Sequence, residues 1–231
     1  MKNNYLAIVI ACEYEIDLTN IDLEKIQINN QTYFVHKNKV VLMFCGIGKV
    51  NAAYNLGLLS KNFNITAIIN IGSGLGINNS NIFDVIISTG NQYGDVDITA
   101  DSKYEINQMV GCPKIFKTST KINNYLKKIL LDLNYKFLSS QIMTTDCFVT
   151  NQNYFKFNEI DSSNINAVDM ECCALAQVAN NLKIEFSAIK VISDTLKQTE
   201  NNHNDFVKNM KIIAKMITNI VNKIFLSNIF S

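Results

Sequence analysis

Arginine and tryptophan are both absent from this 231-residue chain, whose 21 basic residues are all lysine. Without arginine, clamping a phosphate or carboxylate through a guanidinium fork is out of reach. Twenty acidic residues leave a formal charge of +1, so the basic excess of a nucleic-acid binder is missing, and no nucleic-acid partner is expected. There is a single proline, Pro113, and only nine glycines, so the few glycine clusters stand out. The two histidines, His36 and His203, are isolated, and none of the six cysteines forms a C-x-x-C pair. A zinc site is not expected, and the metal prediction is none.

Hydrophobic residues make up 48% of the chain, enough for a sizeable core, and no linker or repeat divides residues 1–231, which read as one domain. Cys12, Cys45, Cys112, Cys147, Cys172 and Cys173 read as free thiols of a reducing cytoplasm. The apolar run Tyr5–Cys12 is short and followed by Glu13 and Glu15, so it reads as a buried strand and not as a signal segment. The apolar C-terminal stretch is broken by Lys211, Lys215 and Lys223 and is not a membrane span.

Along the chain, strands are predicted at 5–12, 32–35, 40–45, 66–71, 83–88, 137–143 and 186–192. Helices are predicted at 50–60, 121–133, 170–182 and 205–225, each from apolar periodicity. Alternation of the two predicts an α/β fold, with a central sheet between helical layers. In such folds ligands sit beyond the carboxyl ends of the strands. Glu13 and Glu15, Ser73, and Asp194 each follow a predicted strand, so residues far apart in sequence can converge on one cleft.

The motifs are individually weak. Gly72-Ser73-Gly74-Leu75-Gly76 lacks the dinucleotide spacing and does not open a helix. It reads either as a close approach of backbone to ligand with Ser73 as a hydroxyl donor, or as a tight turn needing positive φ. Gly46-Ile47-Gly48-Lys49 fails as a phosphate loop and reads as a strand-to-helix turn. On its own the Glu13/Glu15 pair reads as a solvated helix start. Asp169-Met170-Glu171 sets two acids at the entrance of an apolar helix, where a carboxylate is costly unless paired or functional. Ser193-Asp194 ends a buried strand, where Asp also serves as a cap or turn residue, and Phe148 offers a ring that could stack or simply fill the core.

Seven segments in order change the picture. They are 46–53, 69–74, 93–100, 111–113, 146–149, 167–171 and 191–194. The series resembles the bacterial 5′-methylthioadenosine/S-adenosylhomocysteine nucleosidases over nearly the whole chain. That resemblance implies a nucleoside phosphorylase-type fold, three layers with a mixed twisted sheet, a homodimer, and no cofactor or metal. It implies hydrolysis of an N-glycosidic bond, giving adenine and a 5-thioribose. By resemblance Asp194 is the general acid at adenine N7, Ser193 orients it, and Glu15 positions and activates water. Glu171 receives the ribose hydroxyls, and Met170 packs on the sugar. Phe148 stacks on adenine, the backbone of Val149 reads the base edge, and Ser73 and Ile47 line the ribose and water side. The chemistry asks for such a set independently. A departing purine leaves an oxocarbenium-like sugar that a nearby carboxylate stabilises, while a second carboxyl must keep its proton.

The chain also departs from the family pattern. Cys12 stands where Met is usual, Tyr14 sits inside the acidic run, Asp169 replaces a longer acid, and Lys190 stands where Arg is usual. The segments at 101–103 and 202–206 lack the usual phenylalanines, which predicts an altered preference among 5′-substituents. Lys190 is expected to make a single simpler contact than a guanidinium would, or else to leave the surroundings of Asp194 less rigid. Two rival readings remain open: a purine nucleoside phosphorylase of the same fold, and a non-catalytic nucleoside-binding relative. The missing arginine weighs against the first. Retention of Glu15, Glu171 and Asp194 together weighs against the second.

Overall fold

The computed structural model describes residues 3–150, 163–196 and 203–227, the side chains of the last segment from Val207 onward. Its strands are β1 (Asn4–Ile10), β2 (Glu24–Ile28), β3 (Gln31–His36), β4 (Val40–Phe44), β5 (Asn64–Gly76), β6 (Val85–Tyr93), β7 (Phe116–Lys117), β8 (Phe137–Thr144), β9 (Ile165–Asp169) and β10 (Glu185–Thr195). The helices are α1 (Lys49–Asn62), α2 (Thr120–Asp132), α3 (Cys172–Leu182) and α4 (His203–Leu226), and a short 3₁₀ turn spans Glu13–Glu15.

All the strands join one mixed sheet in the order β10-β6-β8-β9-β5-β1-β4-β3-β2, with β7 on β6. β10 also pairs with β5, so the sheet curls and closes on itself at that end. Parallel pairs β1–β4, β1–β5, β5–β10, β6–β8 and β8–β9 form its centre, where both faces are covered and the strands are near-continuous apolar runs. In β1 the side chains alternate between two cores. Leu6, Ile8 and Ile10 pack with residues of α2 and α4, while Ala7 and Val9 face residues of α1 and α3. The result is the three-layer α/β fold expected from the sequence.

Several predicted boundaries shift. The glycine cluster is not a turn, because β5 runs on to Gly76, and Gly72, Gly74 and Gly76 are absent from the positive-φ residues. They are glycine for want of room. A Cβ on Gly72 would lie 3.1 Å from a Glu15 carboxylate oxygen, and one on Gly76 would lie 2.7 Å from Ile192 Cγ2. β10 likewise continues through Ser193 and Asp194, so Asp194 is a strand residue and not a cap. α3 starts at Cys172, after Met170, with Glu171 at its N-cap position. β2, β7 and β9 were not predicted. Among the described residues no helix is long and apolar enough to cross a membrane.

Candidate active site

The carboxyl ends of β1, β5, β9 and β10 open onto a cavity of about 330 Å³. All nine predicted site residues line it: Glu15, Ile47, Ser73, Phe148, Val149, Met170, Glu171, Ser193 and Asp194. They come from six separate stretches of chain: β1, β5 and β10 run parallel and end on the same side, and β9, antiparallel to β5, brings Met170 and Glu171 to the same place.

Glu15 sits on the short turn after β1 and is buried, with 3% of its surface exposed, whereas its neighbour Glu13 is exposed. The expectation of a solvated helix start therefore fails for Glu15. Its Oε1 accepts hydrogen bonds from the Ser73 N–H (2.7 Å) and the Ser73 hydroxyl (2.7 Å), and its Oε2 accepts from the Cys12 N–H (3.2 Å). Ser73 thus acts on Glu15, and the glycine before it lets the carboxylate approach the strand. Among the described residues, Asp194 has one side-chain donor, Ser193. The Ser193 hydroxyl lies 2.5 Å from its Oδ1 and 3.2 Å from the Gly74 carbonyl. Burial raises the Asp194 pKa above the usual carboxylate range, and the hydrogen bond from Ser193 only partly offsets this.

Glu171 is buried at the start of α3 and accepts a hydrogen bond from the Gly48 N–H at 3.0 Å. Gly48 has φ +92, which only glycine adopts readily, so this donor depends on the second glycine of the strand-to-helix turn. Burial, with the charge of Asp169 next in weight, pushes the Glu171 pKa up to about 7, against opposing pulls from Lys190 and Gly48. Phe148 is 63% exposed at the cavity, which rules out the core alternative for its ring.

Lys190 is the residue the sequence placed least well. It is fully buried, and its ammonium meets Asp169 Oδ2 at 2.7 Å. The single simpler contact therefore exists, and its partner is Asp169. The same carboxylate accepts from the Thr144 hydroxyl (2.6 Å) and the Cys172 N–H (2.9 Å), so its acceptor sites are well used. Burial alone would lower the Lys190 pKa, but Asp169 and Glu171 more than offset it and hold the ammonium well above its usual range. Two departures noted separately in the sequence, a shorter acid and a lysine for arginine, thus meet in one pair. A lysine inside the apolar run Phe186–Ile192 was the available signal, since a buried charge requires a partner.

Tyr14 and Cys147 also line the cavity, and neither was predicted. Residues 101–103 form an exposed turn. The comparison drawn at 202–206 falls on Asn202, which lies outside the described residues, and on side chains not described. Among the described residues no group of three or more His, Cys, Asp or Glu side chains could hold a metal ion.

Residues 5–225 match the model of the phosphorylase superfamily. A curated relative from Buchnera aphidicola, a 5′-methylthioadenosine/S-adenosylhomocysteine nucleosidase, is 34% identical over 98% of this chain and 97% of its own. The chain belongs to that nucleosidase family. Solved structures of the family superpose closely. The Streptococcus pyogenes S-adenosylhomocysteine nucleosidase in complex with 5-methylthiotubericidin is 27% identical, with a TM-score of 0.85 over 100% of this chain and 99% of that one. The Colwellia psychrerythraea family member in complex with adenine is 26% identical, with a TM-score of 0.84 over 97% and 95%.

Proposed function

We propose that this chain hydrolyses the N-glycosidic bond of 5′-methylthioadenosine, S-adenosylhomocysteine and related 5′-substituted adenosines, releasing adenine and a 5-thioribose. The observation that carries the reading is the meeting of Glu15, Glu171 and Asp194 at one cavity in three unlike environments. Membership of the nucleosidase family supports the substrate class.

Asp194 acts as the general acid. Its raised pKa lets it keep a proton for adenine N7, so the base departs neutral. Ser193 serves either protonation state: it donates to the Asp194 carboxylate, or it accepts from the protonated acid while donating to the Gly74 carbonyl. Glu15 orients and deprotonates the attacking water on the opposite side of the sugar. Its three fixed donors prevent it from swinging toward the base. Glu171 receives the ribose hydroxyls, and its charge and that of Glu15 stabilise the oxocarbenium-like sugar. Phe148 stacks on adenine, Val149 reads its edge through the backbone, Met170 packs on the sugar, and Ile47 closes the ribose side. The ammonium of Lys190 is committed to Asp169, which favours water over phosphate as the acceptor.

Two further parts of the reading concern context. Val50 and Tyr54 lie four apart on α1 and are 78% and 62% exposed, next to Ile47 at the cavity. An apolar face so placed fits a homodimer partner. Six free cysteines fit a reducing cytoplasm, and residues 1–231 act as one catalytic domain.

Incubation of the purified chain with 5′-methylthioadenosine, with and without phosphate, tests the reading. Free adenine at the same rate in both is expected. Adenine release that requires phosphate would make the chain a phosphorylase, and no release from any 5′-substituted adenosine would make it a binding protein. The altered 101–103 segment also leads us to expect unequal kcat/KM for methylthioadenosine and S-adenosylhomocysteine.

A further inference from the structure

Three segments remote in sequence meet at one ammonium outside the cavity. The Lys49 Nζ lies 2.8 Å from Asp95 Oδ1 and 3.4 Å from Asp146 Oδ2, and it stands over the Tyr93 ring at 5.4 Å from the centroid. The backbone closes the same knot. The Lys49 N–H donates to Asp146 Oδ1 at 2.9 Å, and the Asp146 N–H donates to Asp95 Oδ2 at 2.8 Å. One residue earlier, the Gly48 N–H donates to Glu171 Oε1. The first turn of α1 therefore holds Glu171 with one free N–H and Asp146 with the next, both groups that a helix start leaves without internal partners.

Asp146 directly precedes Cys147-Phe148-Val149, the stretch that lines the cavity, while Glu171 is the ribose-side carboxylate. We propose that Lys49 is a positioning residue that fixes the adenine-binding stretch 147–149 relative to Glu171, through Asp146 and Asp95. This rests on the proposed role of Phe148 and Val149 at adenine. The carboxylate of Asp146 receives both the ammonium and the backbone of Lys49, so its loop has one defined position against α1. The Tyr93 ring and Asp95 hold the ammonium from the other side, and Tyr93 is itself anchored by its hydroxyl, which donates to Gln177 Oε1 at 2.5 Å. Without the ammonium, Asp95 and Asp146 would face each other as like charges, and the 146–149 stretch would move away from α1. Lys49 touches no reacting atom in this account, so its effect belongs in base binding and not in bond cleavage.

The test uses Lys49→Met, Lys49→Arg and Asp95→Asn in the full chain. The readouts are kcat and KM on 5′-methylthioadenosine, inhibition by free adenine, and thermal unfolding. Lys49→Met is expected to raise KM and weaken adenine inhibition by about tenfold while kcat falls less than about threefold, the scale of a charge-assisted, half-exposed network. Lys49→Arg restores both to within about threefold, since it keeps the charge. Added salt screens half-exposed pairs, so KM of the wild-type chain rises with ionic strength and that of Lys49→Met does not. An unchanged KM and adenine inhibition in Lys49→Met overturns the proposal, as does a loss that Lys49→Arg fails to relieve. If Lys49→Met does not fold, Asp95→Asn, which leaves the Lys49–Asp146 contacts in place, is expected to give the same split at about threefold, and its absence there overturns the role. A wild-type chain that releases no adenine removes the proposed function and this role together. Normal wild-type turnover with an unshifted Lys49→Met removes this role alone.

Discussion

Asp194 and Glu15 line the same cavity, carry the same functional group, and are treated in opposite ways by the fold. Glu15 is buried yet surrounded by donors, two from Ser73 and one from Cys12. Asp194 is half-buried and, among the described residues, has one side-chain donor, whose proton the Gly74 carbonyl also competes for. Desolvation raises the Asp194 pKa, so that carboxyl can keep its proton. Two acids in unlike surroundings can therefore work as base and acid at one pH, and the fold achieves this with a serine beside each, one on β5 and one on β10.

The largest effect that would break this contrast is at Glu15. Glu15→Gln keeps the shape and removes the proposed base, and adenine release is expected to fall about 10²–10⁴-fold with the unfolding midpoint little changed. Next is the buried pair beneath the site. Lys190→Met leaves Asp169 charged and unpaired, and chemical denaturation should report a loss of about 3–5 kcal/mol. If stability hardly changes, the buried Lys190–Asp169 pair contributes little to the fold.

The two serines sharpen the comparison at a smaller scale. Ser73→Ala removes one donor to Glu15 and should lower kcat about tenfold or more, the scale of a hydrogen bond to a charged group. Ser193→Ala acts differently. The Ser193 hydrogen bond lowers the Asp194 pKa, so its loss raises that pKa further. Activity that depends on protonated Asp194 falls as pH rises, and the alkaline limb of kcat/KM in Ser193→Ala should move to higher pH. A limb that moves down would contradict the assignment of Asp194 as the acid. The mildest effect concerns Glu171, whose pKa of about 7 leaves it protonated below neutrality. In its proposed role the carboxylate would hold the ribose hydroxyls better than the neutral form, so KM should rise as pH falls below about 7, and Glu171→Gln should flatten that dependence.

What the sequence disclosed follows the physics of each element. Buried parallel strands and amphipathic helices announce themselves as apolar runs and stripes, so β1, β8, α2 and α4 were placed to within a few residues. β2, the half-exposed Glu24–Ile28, has no such run, and it sits at the sheet edge. The glycines of β5 were left between a close approach to ligand and a turn, because their cause lies elsewhere in the chain: Glu15 against Gly72, and Ile192 against Gly76. Eight of the nine proposed site residues were legible within the seven ordered motifs, and Glu15, outside them, only through the family resemblance. Their environments were not, since the donors to Glu15 and the partner of Lys190 come from strands distant in sequence. The Lys49 knot was hidden for the same reason, because Asp95 and Asp146 lie 46 and 97 residues away from it.

The central claim is that a protonated Asp194 drives departure of the base, and adenine release by a folded Asp194→Asn variant tests it most directly. The account predicts a rate about 10²–10⁴-fold below wild type, with substrate binding retained. A folded Asp194→Asn chain that releases adenine at the wild-type rate would contradict it.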